Sequence, residues 1–181
     1  MDSTAEKLYT ADEFFMAIPE TKEHYELHDG EIVALASPSV LHHNISTEVF
    51  SALRDYVRSK GGRCKPFIAP LDVKLDDHNV VQPDVFVVCR PEIIGEKRIN
   101  GAPDLVIEVM SDNRYTDLVK KLELYGRFGV REYWIVDPKN EKTLVYFFEK
   151  NEYPAIYPFS EPVPVGIYDG ELSINISELT K

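Results

Sequence analysis

Two short segments, VFVVC at 85–89 and DLVIEVM at 104–110, are apolar at almost every position. A strand with one wet face alternates polar and apolar residues, whereas a strand covered on both faces reads as a continuous apolar run. Both segments are too short to be helices with one buried face. They therefore require a sheet with cover on both sides. The chain supplies that cover. A helix of roughly 40–60 follows Pro38, with Ile45, Val49, Leu53, Tyr56 and Val57 on one stripe and Gly61-Gly62 as its stop. A second helix of roughly 115–128 ends at Gly129 and leads into the strand EYWIVD at 132–137. A further strand-like segment, 64–75, alternates Phe67, Ala69, Leu71, Val73 and Leu75 with polar or small residues. The order is helix, three strands, helix, strand, an α/β arrangement with a mixed central sheet.

The flanks add smaller elements. TADEFFMA at 10–17 predicts a short helix with Thr10 and Glu13 as a capping box, ended by Pro19. YEL at 25–27 and EIVAL at 31–35 predict a hairpin around Asp29-Gly30. The tail offers the strand TLVYFFE at 143–149, a Pro- and Tyr-rich stretch at 153–168 and a short ELSINI. Neither a linker nor an internal repeat divides the 181 residues, so one domain over 1–181 is expected. No run approaches the roughly 20 apolar residues of a membrane helix, and the acidic N-terminus lacks the pattern of a signal peptide. A cytoplasmic protein is expected. Cys64 and Cys89 have no metal-type spacing and are expected as free thiols, the alternative being one disulfide.

The second and third strands carry the first candidate chemistry. If they pair antiparallel, the start of one lies against the end of the other. Asp84 and Glu108 then meet although distant in sequence, while Asp104 falls at the far end. A carboxylate within DLVIEVM must be paired, protonated or bound to a cation. Two convergent carboxylates suit Mg²⁺, which takes one or two such ligands plus waters. An internal ion pair with a structural Arg or Lys is the competing reading. The helix sharpens the choice. Around its axis Leu118, Leu122, Leu124, Tyr125 and Phe128 form one arc, and Lys121 falls inside it. An inward lysine needs an anionic partner and could stabilise charge developing in a reaction. The alternative is a lysine whose stem only covers apolar surface.

The ordered set YELHDGEIV (25–33), PSVLHHNI (38–45), VVQPDVFVV (80–88), GAPDLVIEVMS (101–111) and DLVKKLELYGRFGVREYWIVDP (117–138) resembles the Uma-two family of restriction endonucleases. That family is a bacterial branch of the PD-(D/E)XK nuclease superfamily, and the resemblance runs from about residue 8 to the end. It implies a restriction-endonuclease-like core with added N- and C-terminal strands. It also implies a metal-dependent hydrolase of phosphodiester bonds. The superfamily's lysine two positions after the Glu is replaced here by Met110. In this branch the lysine sits on the next helix in a D-x-x-x-K-x-x-x-Y pattern, matched by Asp117, Lys121 and Tyr125. Asp117 would orient Lys121 or cap the helix. Gln82, in Q-P-D, would bond a scissile phosphate. Glu26, in Y-E-L, would add a third metal carboxylate or merely be the polar side of a hairpin. His42 would meet phosphate, hold the site together or make only local hydrogen bonds. Asp72 is expected to be solvated or structural.

The expected activity is a Mg²⁺-dependent endonuclease, with Mn²⁺ as a possible substitute, cutting DNA through a metal-activated water. Asp84 and Glu108 would serve as ligands and Lys121 as the charge stabiliser. Homodimerisation would suit the cutting of two strands. The net charge of −11 opposes tight binding to polyanions, which rests on neutralising phosphates. It favours a competing class: a catalytically silent nuclease-like module that binds nucleic acid or a protein.

Overall fold

The computed structural model describes residues 7–18, 23–111, 115–150 and 153–179, with backbone only at 115–118 and 179. Along the chain run α1 (Ala11–Ala17), β1 (His24–His28), β2 (Glu31–Leu35), α2 (Val40–Lys60), β3 (Lys65–Ile68), β4 (Val73–Lys74), β5 (Val80–Val81) and β6 (Val85–Val88). Then come β7 (Ile99–Asn100), β8 (Leu105–Val109), α3 (Tyr115–Arg127), β9 (Glu132–Asp137), β10 (Lys142–Phe147) and β11 (Ala155–Pro158). The pair β12 (Val163–Pro164) and β13 (Ser173–Ile174) precedes α4 (Ile176–Leu179).

The main sheet has six strands in the order β11-β10-β9-β8-β6-β3. It is mixed, because β8 and β9 are parallel while the other neighbours are antiparallel. Helix, three strands, helix and strand thus become α2, β3, β6, β8, α3 and β9. Residue parity divides the core. Val85, Val87, Leu105 and Ile107 pack with Ile45, Val49 and Leu53 of α2. Phe86, Val88 and Val106 pack with Leu124 and Tyr125 of α3. Both central strands are covered on both faces, as their unbroken apolar runs require. Truncating a residue such as Leu53, which is fully buried, to Ala costs about 2–5 kcal/mol.

Local signals set the ends of the elements. Thr10 and Glu13 form the full capping box, Ser39 accepts from the His42 N–H at the start of α2, and Gly61 ends that helix with φ of 64°. The β1–β2 turn places Asp29 and Gly30 at φ of 47° and 87°, the left-handed pair that Asp-Gly supplies in a two-residue hairpin. Pro19 lies outside the described residues.

Two expectations need correction. The segment 64–75 is two strands, not one. β3 joins the main sheet, but Pro70 offers no N–H to continue the ladder, and β4 joins a second sheet ordered β2-β1-β5-β4-β7. The Pro- and Tyr-rich stretch 153–168 contains β11 and β12. Cys64 and Cys89 form a disulfide. The β3–β6 register explains it: Lys65 lies opposite Val88, so the next pair outward is Cys64 and Cys89. Among the described residues, no helix is long and apolar enough to cross a membrane.

Candidate active site

The register of the central strands builds the site. Val85 faces Ile107 across the antiparallel β6–β8 pair, so the next pair is Asp84 and Glu108. Parity points both toward the face that carries Phe86 and Val106 beneath α3. Asp84 Oδ2 accepts from the Val109 N–H at 2.8 Å, which ties the start of β6 to the end of β8. Asp104 sits at the opposite end, where its Oδ2 accepts from the Cys89 N–H at 2.7 Å.

Helix α3 brings two further groups to Glu108. Lys121 Nζ donates to Glu108 Oε1 at 2.9 Å and to Glu26 Oε1 at 2.8 Å. Tyr125, one turn on, donates its hydroxyl to the same Glu108 oxygen at 2.8 Å. Lys121 is only 4% exposed and Glu108 only 3%, so the lysine is an internal cation and not a surface one whose stem covers apolar groups. Burial alone would pull its ammonium down, but the carboxylates of Glu108 and Glu26 push it above the usual lysine range. Burial drives the Glu108 carboxyl up to about 7, with Asp84 and Glu26 adding to the shift and Lys121 opposing it. Burial also raises the Tyr125 hydroxyl well above its ordinary range, so it remains a donor.

Glu26 has a different place from the one expected. Its Oε1 accepts from Lys121 and from the Gln82 N–H, and its Oε2 lies 2.8 Å from His28 Nε2. Burial pushes its pKa up, yet Lys121 and His28 outweigh that effect and hold it at about 2. Both oxygens are committed to protein donors, so Glu26 anchors Lys121 and is a poor metal ligand. His42 Nε2 lies 3.0 Å from Asp84 Oδ2, which ties the first turn of α2 to the site. Gln82 donates its side-chain amide to Asp72 Oδ1 at 2.8 Å. Asp72 is thereby structural. The Asp117 side chain lies outside the described residues.

No hydrogen bond among the described residues goes to Asp84 Oδ1 or Glu108 Oε2. Two carboxylates, Glu108 and Glu26, share the Lys121 ammonium, and the third, Asp84, is held by His42 and the Val109 N–H beside them. No group of three or more His, Cys, Asp and Glu side chains is placed to hold a metal among the described residues. Two carboxylates, each with an oxygen that no described residue bonds, still match the donor set of Mg²⁺, which completes its shell with water. A cavity of about 210 Å³ opens on Asp84, Gln82, His42 and Lys121.

The Uma2 family model, described as a putative restriction endonuclease, matches residues 11–167. The chain belongs to the Uma2 family. Its fold is accordingly the restriction-endonuclease-like α/β core, with strands added at both ends. A solved structure, a putative nuclease belonging to DUF820 from Anabaena variabilis ATCC 29413, is similar with a TM-score of 0.78 and 26% sequence identity. The match covers 94% of this chain and 97% of that one. No match is found among curated proteins.

One buried acid escaped the sequence reading. Glu132 is fully buried on β9, on the α2 face, and accepts from Trp134 Nε1 and from the N–H groups of Gly166 and Ile167. An acid inside EYWIVD carried the same signal as Glu108 inside DLVIEVM.

Proposed function

We propose that this Uma2 protein is a Mg²⁺-dependent endonuclease that hydrolyses phosphodiester bonds in DNA, with Mn²⁺ as an alternative ion. The observation that supports this most is the placing of Asp84 opposite Glu108 in the β6–β8 register, with Glu108 bonded to the buried Lys121. Asp84 and Glu108 would hold the ion through their uncommitted oxygens. When bound, Mg²⁺ lowers the pKa of a water and polarises a phosphoryl oxygen. Lys121, kept cationic by two carboxylates in a water-poor site, stabilises the negative charge that builds on the phosphate oxygens. Tyr125 fixes the Glu108 carboxylate, and His42 and the Val109 N–H fix that of Asp84. Glu26 prevents Lys121 from collapsing entirely onto Glu108. In the overall reaction, water attacks phosphorus, the bond to the leaving sugar oxygen breaks, and that oxygen takes up a proton.

The test is cleavage of supercoiled plasmid, linear duplex and single-stranded DNA by pure protein with Mg²⁺ or Mn²⁺. Metal-dependent cutting by the wild type, lost in Asp84→Ala and Lys121→Ala, is the expected result. Equal cutting by all three proteins, or none on any DNA, would overturn the reading. Calorimetry separates the alternatives, because a silent binding module has no need of a cation at Asp84 and Glu108.

A further inference from the structure

Two unlike cavities meet at the site. The first, of about 210 Å³, has one wall of Leu35, Ala36 and Pro38 before α2 and Ile68, Ala69 and Pro70 at and beyond the end of β3, with His24, His43 and Ser46 also on its lining and Asp84 and Lys121 at its catalytic end. The second, of about 540 Å³, is bordered by Ser39, Lys139 and Asn140 and by the Asp137 carboxylate, and shares Ser37, His42 and Ser111 with the first. Hydroxyls and a lysine suit a sugar–phosphate backbone. The apolar wall of the first cavity does not, since a phosphate gains nothing from Leu, Ile and Pro side chains; the scissile phosphate belongs at the other end, by Asp84 and Lys121. The slot suits a flat ring with apolar faces. It is smaller than the roughly 300–1,000 Å³ of ordinary small-molecule pockets, a size for one base and not for a whole nucleotide.

Bases in a duplex are stacked and paired, so a base enters a pocket only when it is unpaired or turned out of the helix. Proteins that hold single strands combine contacts to the backbone with surfaces for the faces of the bases. Duplex affinity, in contrast, rests largely on phosphate neutralisation, which a chain of net charge −11 is poorly equipped to supply. We infer that the apolar slot is a nucleobase subsite and that the substrate is a single-stranded or locally unpaired stretch of nucleic acid, its flanking backbone lying along the polar cavity. This inference rests on the nuclease reading above and narrows its substrate.

Fluorescence anisotropy of the full chain in EDTA tests it, with three labelled DNA ligands: a short single strand, its blunt duplex and an abasic strand of equal length. The single strand should bind about tenfold or more tighter than either of the others, the effect expected of seating a base. Ala36→Trp fills the slot from an exposed position and should lower single-strand affinity to that of the abasic strand. Equal binding of single strand and duplex, or of single and abasic strands, overturns the proposal. So does absence of binding, or a folded Ala36→Trp variant with unchanged affinity. Cleavage with Mg²⁺ or Mn²⁺ separates the two claims. A single-strand preference with no cleavage of any DNA removes the nuclease reading and keeps the subsite. Equal binding and cleavage of duplex and single strand does the reverse.

Discussion

The two ends of the central β6–β8 pair bury carboxylates in opposite ways. At one end Asp104 accepts from the Cys89 N–H, and the Cys64–Cys89 disulfide closes the neighbouring strand pair. Glu132, opposite Leu105 in the β8–β9 register, is held there by an indole N–H and two backbone N–H groups. At the other end Glu108 and Glu26 share Lys121, Asp84 stands opposite Glu108, and among the described residues no group bonds Asp84 Oδ1 or Glu108 Oε2. Glu132, surrounded by fixed neutral donors, is a finished structural joint, and Asp104 has a cation of its own, with Arg131 Nη1 3.6 Å from its Oδ1. A cluster with more negative than positive charge is unfinished without a cation. The difference shows that burial of an acid does not by itself mark a site; the identity and number of its donors do.

Exchanging each acid for its amide should break the symmetry between the ends most strongly. Glu108→Gln removes a cation ligand and a partner of Lys121, so metal-dependent cleavage should fall about 1,000-fold or more, at the upper end of losses for one electrostatic group. Glu132→Gln should keep kcat within a few-fold, because Glu132 lies on the α2 face, away from Lys121. Steady-state cleavage at saturating metal decides the matter. Comparable losses in both variants would show that the ends do not differ in function.

Stability should follow the opposite order. Glu132→Ala leaves Trp134 Nε1 and the N–H groups of Gly166 and Ile167 without their acceptor, each costing about 1–3 kcal/mol when buried. A total near 4 kcal/mol is expected from urea unfolding, since water will satisfy some of them. Glu108→Ala leaves Lys121 its second carboxylate, Glu26, so its cost should be smaller at neutral pH. A larger loss for Glu108→Ala would mean that its site is the structural joint.

The sequence carried much of this plan because the determining patterns are local. Ser39, Gly61 and the Asp29-Gly30 turn mark their elements within a few residues. The meeting of Asp84 and Glu108 needed one added assumption, the antiparallel pairing of two apolar runs. Other features depended on contacts that leave no periodic trace. β4, β5 and β7 have two residues each, too few to show alternation. The disulfide needed the β3–β6 register, which Cys spacing does not encode. Glu26 was visible as an acid in Y-E-L, but its commitment to Lys121 and His28 required the packing of β1 beneath α3. Glu132 was passed over although its apolar surroundings resemble those of Glu108. The comparison therefore lives in tertiary donors and not in sequence pattern.

The smallest effect is a pH slope, and it sharpens the contrast through its response to metal. Burial raises Glu132 and raises Glu108 to about 7 from the ordinary 4.5. A raised carboxyl binds its proton more tightly in the folded state. Its contribution to stability is full below pH 4.5 and is lost as pH rises through the folded pKa. Glu26, held at about 2, acts in the other window, since its stabilisation is present above pH 4.5 and lost as pH falls toward 2. Metal-free wild type should therefore lose a few degrees of Tm between pH 5 and just above 7, each kcal/mol moving Tm by roughly 2–4 °C at this chain length. Glu108→Gln should remove part of that slope. Mg²⁺ should do the same in the wild type, because a bound cation favours the ionised carboxylate without requiring the proton. Whatever Glu132 contributes to the slope should not respond to Mg²⁺. A wild-type slope untouched by both the metal and the substitution would place Glu108 among the finished joints, and with it the whole cluster beneath α3.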